Sequence, residues 1–318
     1  MSQTEPSPSP RRSRRTSGST RAFLAGGAVI ALLLASCAST VGGSGASPSP
    51  EMVTPPSPTA PSSQAATPTS TTPTPDATSF DEGPHSVPVY FLSETPQGTR
   101  LVRERRLVTG DPLMGAVEAM VEGPLDPDYV SFWDPAVEVR AAFTEAGVVI
   151  IDLSAAARDV DVSRDIAEFT VQQLVYTATA GRPDSNVRLL IDGDAADQLW
   201  GTVSWTGDVE RAEAQNVLSP LQVDLPAEGE FVTREETTIS GEALAGTSVT
   251  WQVSFAGGDQ VASGEVPVPD GDGFVPFSFP VPLGVGRYTV ELEVHEAGDP
   301  EGNVIAVESR DFSVHLAA

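Results

Sequence analysis

Hydrophobic positions follow three patterns along the chain. Residues 22–34 are an unbroken apolar run of 13 residues, shorter than the roughly 18–20 that a membrane-spanning helix needs. Residues 38–79 then carry almost no large apolar side chains. From residue 87 the pattern switches between strand-length runs and helical spacing, and beyond residue 217 it alternates with a period of two.

The switching region predicts seven elements. Val87-Pro88-Val89-Tyr90-Phe91-Leu92 reads as a strand, Thr95-Pro96-Gln97-Gly98 as a turn, and residues 100–108 as a second strand with mixed faces. Thr109-Gly110-Asp111-Pro112 announces a helix, with Asp111 as N-cap and Pro112 at its first position. Leu113, Ala116, Val117 and Met120 form its apolar stripe, and Gly123-Pro124 ends it. A loop through Trp133-Asp134-Pro135 leads to a strand at 137–143, a turn at Glu145-Ala146-Gly147 and a central strand at 148–153. Ser163 caps a second helix that buries Ile166, Val171, Leu174, Val175 and Ala178, and residues 187–191 form the last strand. The order β-β-α-β-β-α-β predicts helices layered on a mixed sheet.

Alternation after residue 217 predicts seven short strands, at 221–225, 237–239, 249–255, 261–268, 274–279, 288–294 and 304–314, separated by Gly, Pro and Asp turns. That spacing means a β-sandwich, with Trp251 placed as a core tryptophan and Gly286-Arg287-Tyr288 as a tyrosine corner. The fold class expected is therefore α+β: a small mixed-sheet α/β module followed by an all-β sandwich, behind a disordered linker.

The first apolar run is preceded by Arg11, Arg12, Arg14, Arg15 and Arg21 and followed by Leu34-Ala35-Ser36-Cys37. A basic flank, a short apolar core and small residues are the parts of an export signal. The last four residues resemble the lipobox of bacterial lipoproteins. The resemblance implies cleavage between Ser36 and Cys37 and diacylation of the Cys37 thiol, which makes Cys37 the first residue of a mature chain anchored at the outer face of the membrane.

Of the 42 residues 38–79, nine are Pro and 18 are Ser or Thr, and Glu51 and Asp76 are the only charges. Such a stretch cannot offset the entropy of ordering its backbone. As a flexible tether it averages about 35–40 Å end to end. The domain map is a signal at 1–36, lipidated Cys37 with a disordered linker to 86, a first module at 87–205, an acidic joint at 206–216 and the sandwich at 217–318.

The mature chain holds 13 basic and 43 acidic residues, a formal net charge of −30, and all its basic residues are arginine. Phosphate backbones and anionic headgroups are repelled by such a surface, which argues against nucleic acid as a partner and leaves anchoring to the lipid. With Cys37 acylated no thiol remains for a disulfide, a metal or a nucleophile.

Six segments together carry a resemblance to the GerMN domain, named for spore-germination proteins. They are Val89-Tyr90-Phe91, the strand from Leu101 to Arg106, the Pro112 helix closing on Val121-Glu122-Gly123-Pro124, Ile151-Asp152-Leu153-Ser154, the helix segment around Leu174-Val175-Tyr176, and Val187 through Ile191-Asp192-Gly193. The sandwich, through Ile239-Ser240-Gly241-Glu242-Ala243, Trp251, Phe274, Phe277, Phe279 and Tyr288, resembles the immunoglobulin-like domain that often follows GerMN. The resemblance implies a module that packs against envelope partners, with no catalytic residues to carry over.

Residues 87–205 contain no His, Cys or Lys, the side chains most often recruited for proton transfer and nucleophilic attack at neutral pH. His85 lies at the linker edge. His295 and His315, on predicted adjacent strands, read as separate residues rather than metal ligands. Asp192-Gly193-Asp194 with Asp197 departs from the calcium-loop pattern and reads as a solvated turn, as does Asp270-Gly271-Asp272-Gly273. Trp200 is expected to end the first core and Trp205 to pack at the joint, rather than to form a sugar-stacking pair. The sequence thus implies no metal or cofactor. It points to a non-enzymatic platform that binds envelope proteins or the cell wall, or pairs with its own copies through sheet edges. An enzyme acting on wall polymers and a solute-binding receptor are the rival readings.

Overall fold

In the computed structural model the residues described are 83–160, 162–233, 236–296 and 302–315. The signal, Ser36, Cys37 and the linker to residue 82 lie outside them. The hairpin comes first, with β1 (Pro84–Thr95) and β2 (Gly98–Thr109) paired antiparallel along their whole length around the predicted turn. Gly98 takes φ 93°, and the Thr95 hydroxyl donates to its carbonyl at 2.8 Å. The hairpin stands as its own two-stranded ribbon, separate from the mixed sheet. Both of its faces are buried over Val89–Leu92 and Leu101–Glu104, so polar and apolar side chains alike are covered there. Val87, Val89, Phe91 and Val102 enter the core of the first module, while Tyr90, Leu92 and Leu101 turn to Tyr176, Val217 and Leu218.

Helix α1 (Pro112–Glu122) begins as predicted, with Asp111 Oδ1 accepting from the amides of Leu113 and Met114 at 2.8 and 3.0 Å. A carboxylate there satisfies two otherwise orphaned donors and meets the positive end of the helix dipole. Ala116, Val117 and Met120 are buried and Leu113 packs at the core's edge. The mixed sheet has the order β3 (Val139–Glu145), β4 (Val148–Leu153), β5 (Asn186–Ile191) and β6 (Asp194–Ala195). Strands β4 and β5 are parallel, and helix α2 (Arg164–Ala178) makes the crossover between them.

Helix α2 buries more than one stripe. Val171, Leu174, Val175 and Ala178 are in the core as expected and Ile166 is only partly buried, but Thr170, Gln173, Tyr176 and Thr177 are buried as well. The helix lies against the ribbon as well as the sheet, so its polar side is covered and must be bonded. Thr177 Oγ1 accepts from the Tyr90 amide at 3.1 Å, and Gln173 Nε2 donates to Ser131 Oγ at 3.1 Å.

A second hairpin, β7 (Asp197–Leu199) with β8 (Val203–Trp205), extends the first module beyond the elements read from sequence. Trp200 packs at the edge of the first core, its ring 5.3 Å from that of Trp133 and its Nε1 donating to the Ala157 carbonyl at 3.0 Å. Trp205 is buried in that same core, which corrects its expected place at the joint. The joint itself is pinned to α2. The Arg211 guanidinium lies 4.4 Å from the centre of the Tyr176 ring and donates to Thr179 Oγ1 and the Tyr176 carbonyl, and the Tyr176 hydroxyl donates to the Ala212 carbonyl. A short helix α3 (Ala214–Val217) leads into the second half.

That half is a sandwich of β9 (Leu221–Leu225), β10 (Glu230–Val232), β11 (Glu236–Leu244), β12 (Ser248–Phe255), β13 (Gln260–Pro267), β14 (Phe274–Pro282), β15 (Gly286–His295) and β16 (Val304–Val314). One sheet runs β10-β16-β15-β12-β13 and the other β14-β11-β9. Strand β10, too short to show alternation, was not legible in the sequence. Trp251 shares the inward face with Val249 and Val253 and stacks on Phe279 at 4.7 Å, half-buried. A Cβ at Gly264 would come within 2.7 Å of its indole, so the opposite strand makes room for the ring. Gly241, at a bulge where β11 meets β9, allows a closer approach still: a Cβ there would lie 2.1 Å from the Gln222 carbonyl oxygen. The predicted tyrosine corner is present, with the Tyr288 hydroxyl donating to the Gly284 carbonyl at 3.0 Å.

The described residues of the two modules fall in one compact unit. Their contact includes a backbone bridge between Leu101 and Leu218, and Gln222 Nε2 donates to the Leu101 carbonyl at 3.0 Å.

Candidate functional site

Two buried arginines hold the junction of the modules. On β2, alternation sends Arg103 to the face that meets the sandwich. Its Nε and Nη2 donate to the two oxygens of Asp224 at 2.8 and 2.7 Å, and its Nη1 to Glu242 at 2.7 Å. This bidentate fork is the geometry for which a guanidinium, unlike an ammonium, is preshaped. Burial alone would depress the Arg103 pKa, but its bonds to Asp224 and the attraction of Asp224, Tyr90 and Glu242 leave it raised, so its charge is fixed.

The next residue, Glu104, builds the second node. Buried at 4% exposure, it accepts from the amides of Leu125 and Asp126 at 2.9 and 2.8 Å and from Arg106 Nη1 at 3.2 Å. The loop after α1 is thereby folded so that Asp126 and Tyr129 face β16. There Arg310, 2% exposed, donates to Asp126 at 2.8 Å, to Glu308 at 3.3 Å and to the Ser309 carbonyl at 2.6 Å. It also donates to the Tyr129 hydroxyl, which in turn donates to Glu308 Oε2, and its guanidinium lies 5.0 Å from the centre of the Tyr129 ring.

An open cleft of about 550 Å³ adjoins this node, between the first module and strands β15 and β16. Leu92, Val130, Phe132, Ile166 and Val307 supply its apolar lining, and the carboxylates of Glu94, Asp126, Asp128, Glu291 and Glu308 line it together with Ser93, Thr99, Tyr129 and Ser309. The ends differ in depth, with Asp126 and Glu308 buried and Glu94, Asp128 and Glu291 exposed at the rim.

Burial raises the Glu308 pKa to about 7, against the pull of Arg310 and the bond from Tyr129. Desolvation raises Asp126 and, with Glu308 beside it, holds Tyr129 well above the ordinary phenol. A carboxyl with a raised folded-state pKa binds more protons folded than unfolded. Its contribution to stability is complete below its ordinary value near 4.5 and is lost as pH rises through about 7. Glu308→Gln should therefore remove a pH dependence of up to about 3 kcal/mol between pH 5 and 8, read as the difference between variant and wild type in urea unfolding. A difference that is flat across that range would show that Glu308 does not titrate there.

The other residues singled out in the sequence lie elsewhere. Asp192 (φ 55°) and Gly193 (φ 84°) form the tight turn between β5 and β6, where Asp192 pairs with Arg140 at 2.7 Å. His295 sits beside Thr250 Oγ1 at 3.0 Å, and His315 lies 5.6 Å, ring to ring, from Phe231. Among the described residues no group of three or more His, Cys, Asp or Glu could hold a metal. Tyr129, Asp126, Glu308 and Arg310 were not anticipated. One signal was available: Ala306, Glu308, Arg310, Phe312 and Val314 alternate along one strand, so two charges stand on its buried face.

Residues 88–197 match the family profile Germane, described as sporulation and spore germination. The tandem GerMN domains of the sporulation protein GerM from Bacillus subtilis align at 17% identity and TM-score 0.34 over 43% of this chain and 50% of that one. The first of those domains alone aligns at 18% identity and TM-score 0.33, over 40% of this chain and 98% of that one. A putative lipoprotein from Clostridium perfringens aligns at 20% identity and TM-score 0.30, over 43% and 93%. This chain thus spans half the length of the tandem structure. No curated protein sequence matches it. The profile match thus covers most of the first module, a Germane-like domain within a longer chain.

Proposed function

We propose that this chain is a non-enzymatic binding or assembly module of the cell envelope, carried at the outer face of the membrane by lipid on Cys37. The observation that carries the reading is the junction. Two arginines, each satisfied by carboxylates or by a tyrosine from the opposite module, join the Germane domain and the sandwich into one surface. Solute receptors close two lobes about a crevice, and a buried ion network spanning the lobes resists that motion. Residues 87–205 carry no His, Cys or Lys for proton transfer or nucleophilic attack. Strand β3, at the open edge of its sheet with Phe143 exposed, offers unpaired backbone groups to a second chain or to an envelope protein.

Chemical crosslinking on intact cells followed by affinity capture should recover a discrete envelope protein or a second copy of this chain. Incubation of the purified protein with peptidoglycan should leave the polymer unchanged in size. Soluble muropeptides released by the wild type and abolished by a single carboxylate substitution would replace this reading with a wall hydrolase.

A further inference from the structure

We infer that the cleft between the Germane domain and β15–β16 is a binding site for an organic cation, an ammonium or guanidinium head on an apolar stem. The inference rests on the binding-module reading and gives it a ligand chemistry. Three observations converge on it. The cleft's volume of about 550 Å³ falls within the range of small-ligand sites. Its lining holds five carboxylates and no basic side chain beside five apolar residues, with Val130 and Val307 left more than 40% exposed although large apolar side chains are usually covered. The third is Glu308, which lines the cleft at 4% exposure and whose Oε1 receives no hydrogen bond from any described residue.

That oxygen is the most specific of the three. Its partner oxygen, Oε2, accepts from Tyr129 and Arg310. A buried acceptor without a donor is costly, and a ligand N–H delivered to it would recover that cost. The near cation, Arg310, is taken up by Asp126, Glu308, Tyr129 and the Ser309 carbonyl. It leaves Glu94, Asp128 and Glu291 at the rim to attract positive charge.

The groups facing Glu308 are Tyr129 and Asp126 from the loop after α1, Arg310 on its own strand, and Asp128 and Glu291 along the cleft, with Glu228 close to Asp126 and Arg310. An entering cation adds attraction to a set dominated by acids. Binding near neutral pH should therefore displace the proton that burial keeps on Glu308.

The test is a calorimetric titration of the full chain in detergent with pentylamine, pentanol and pentanoate, beside a blocked peptide whose one charge is a lysine. Pentylamine should bind roughly tenfold or more tightly than pentanol, and pentanoate should not bind. Heats measured in buffers of different ionisation enthalpy should show proton release at pH 7. If the lysine peptide binds more tightly than pentylamine, the cation belongs to a partner protein; if only pentylamine binds, it belongs to a free amine. Asp128→Asn with Glu291→Gln, at exposed positions outside the Arg310 node, should weaken the amine by roughly fivefold. Equal binding of amine and alcohol, no binding of either cation, or an unchanged double variant would overturn the inference. Capture of an envelope partner that persists in that double variant, with no amine binding, would leave the binding-module reading standing and remove only the cation site.

Discussion

Arg310→Met should destabilise the protein by about 3–5 kcal/mol, the loss expected when one member of a buried ion cluster is removed. The side chain is 2% exposed and its partners Asp126 and Glu308 are 3% and 4% exposed, so solvent cannot replace the missing guanidinium. Two buried carboxylates would then be left without their shared cation, and at least one would take up a proton. The loss should therefore be larger at pH 8 than at pH 5.5, and Glu308→Gln in the same chain should recover part of it. Arg103→Met should cost less, because Glu242 at the other node is 37% exposed and water can reach it. Urea unfolding followed by tryptophan fluorescence reads both: Trp133, Trp200 and Trp205 report on the first module and Trp251 on the sandwich. A loss below about 1 kcal/mol for Arg310→Met would mean that the node does not hold the modules together.

What the sequence made legible follows from how each element is specified. Asp111-Pro112 and Ser163 are local signals that need no knowledge of the rest of the chain, and both helices start where these residues place them. The sandwich was legible through a period that only a half-buried strand requires, and Tyr288 through its place at the start of β15. Elements set by distant partners were not. The ribbon β1–β2 is defined by what covers it on two sides, and the polar face of α2 is buried by that ribbon rather than by its own pattern. The second hairpin turns at Trp200, which has φ 52° and contacts Ala157 and Trp133. At the site, Glu104 lies about 20 residues from the amides it binds, and Asp126 lies 184 residues from Arg310. Such a cluster forms only when the modules meet. Its one local trace is the pair of charges on the inward face of β16.

Cys37→Ala should remove the protein from the membrane at its mature size, the largest change expected of any single substitution in this chain. Membrane affinity from acyl chains accumulates at roughly 0.8 kcal/mol per buried methylene, and one chain alone holds a protein only marginally. On the lipobox reading two chains on one thiol would exceed that threshold, and the mature sequence which that reading leaves is poor in basic residues that could substitute. Its formal net charge of −30 repels anionic headgroups, and the 42 residues after the cysteine offer no apolar face. On the same reading, processing at Ser36-Cys37 should fail without the thiol as well. The variant should accumulate as a precursor that retains Arg11 to Ser36, or appear in the soluble fraction after cleavage elsewhere. Labelling with an alkyne fatty acid, membrane fractionation in high salt and intact mass separate these outcomes. A variant of mature mass that still takes up label, or that still sediments with membranes, would place the anchor at a residue other than Cys37.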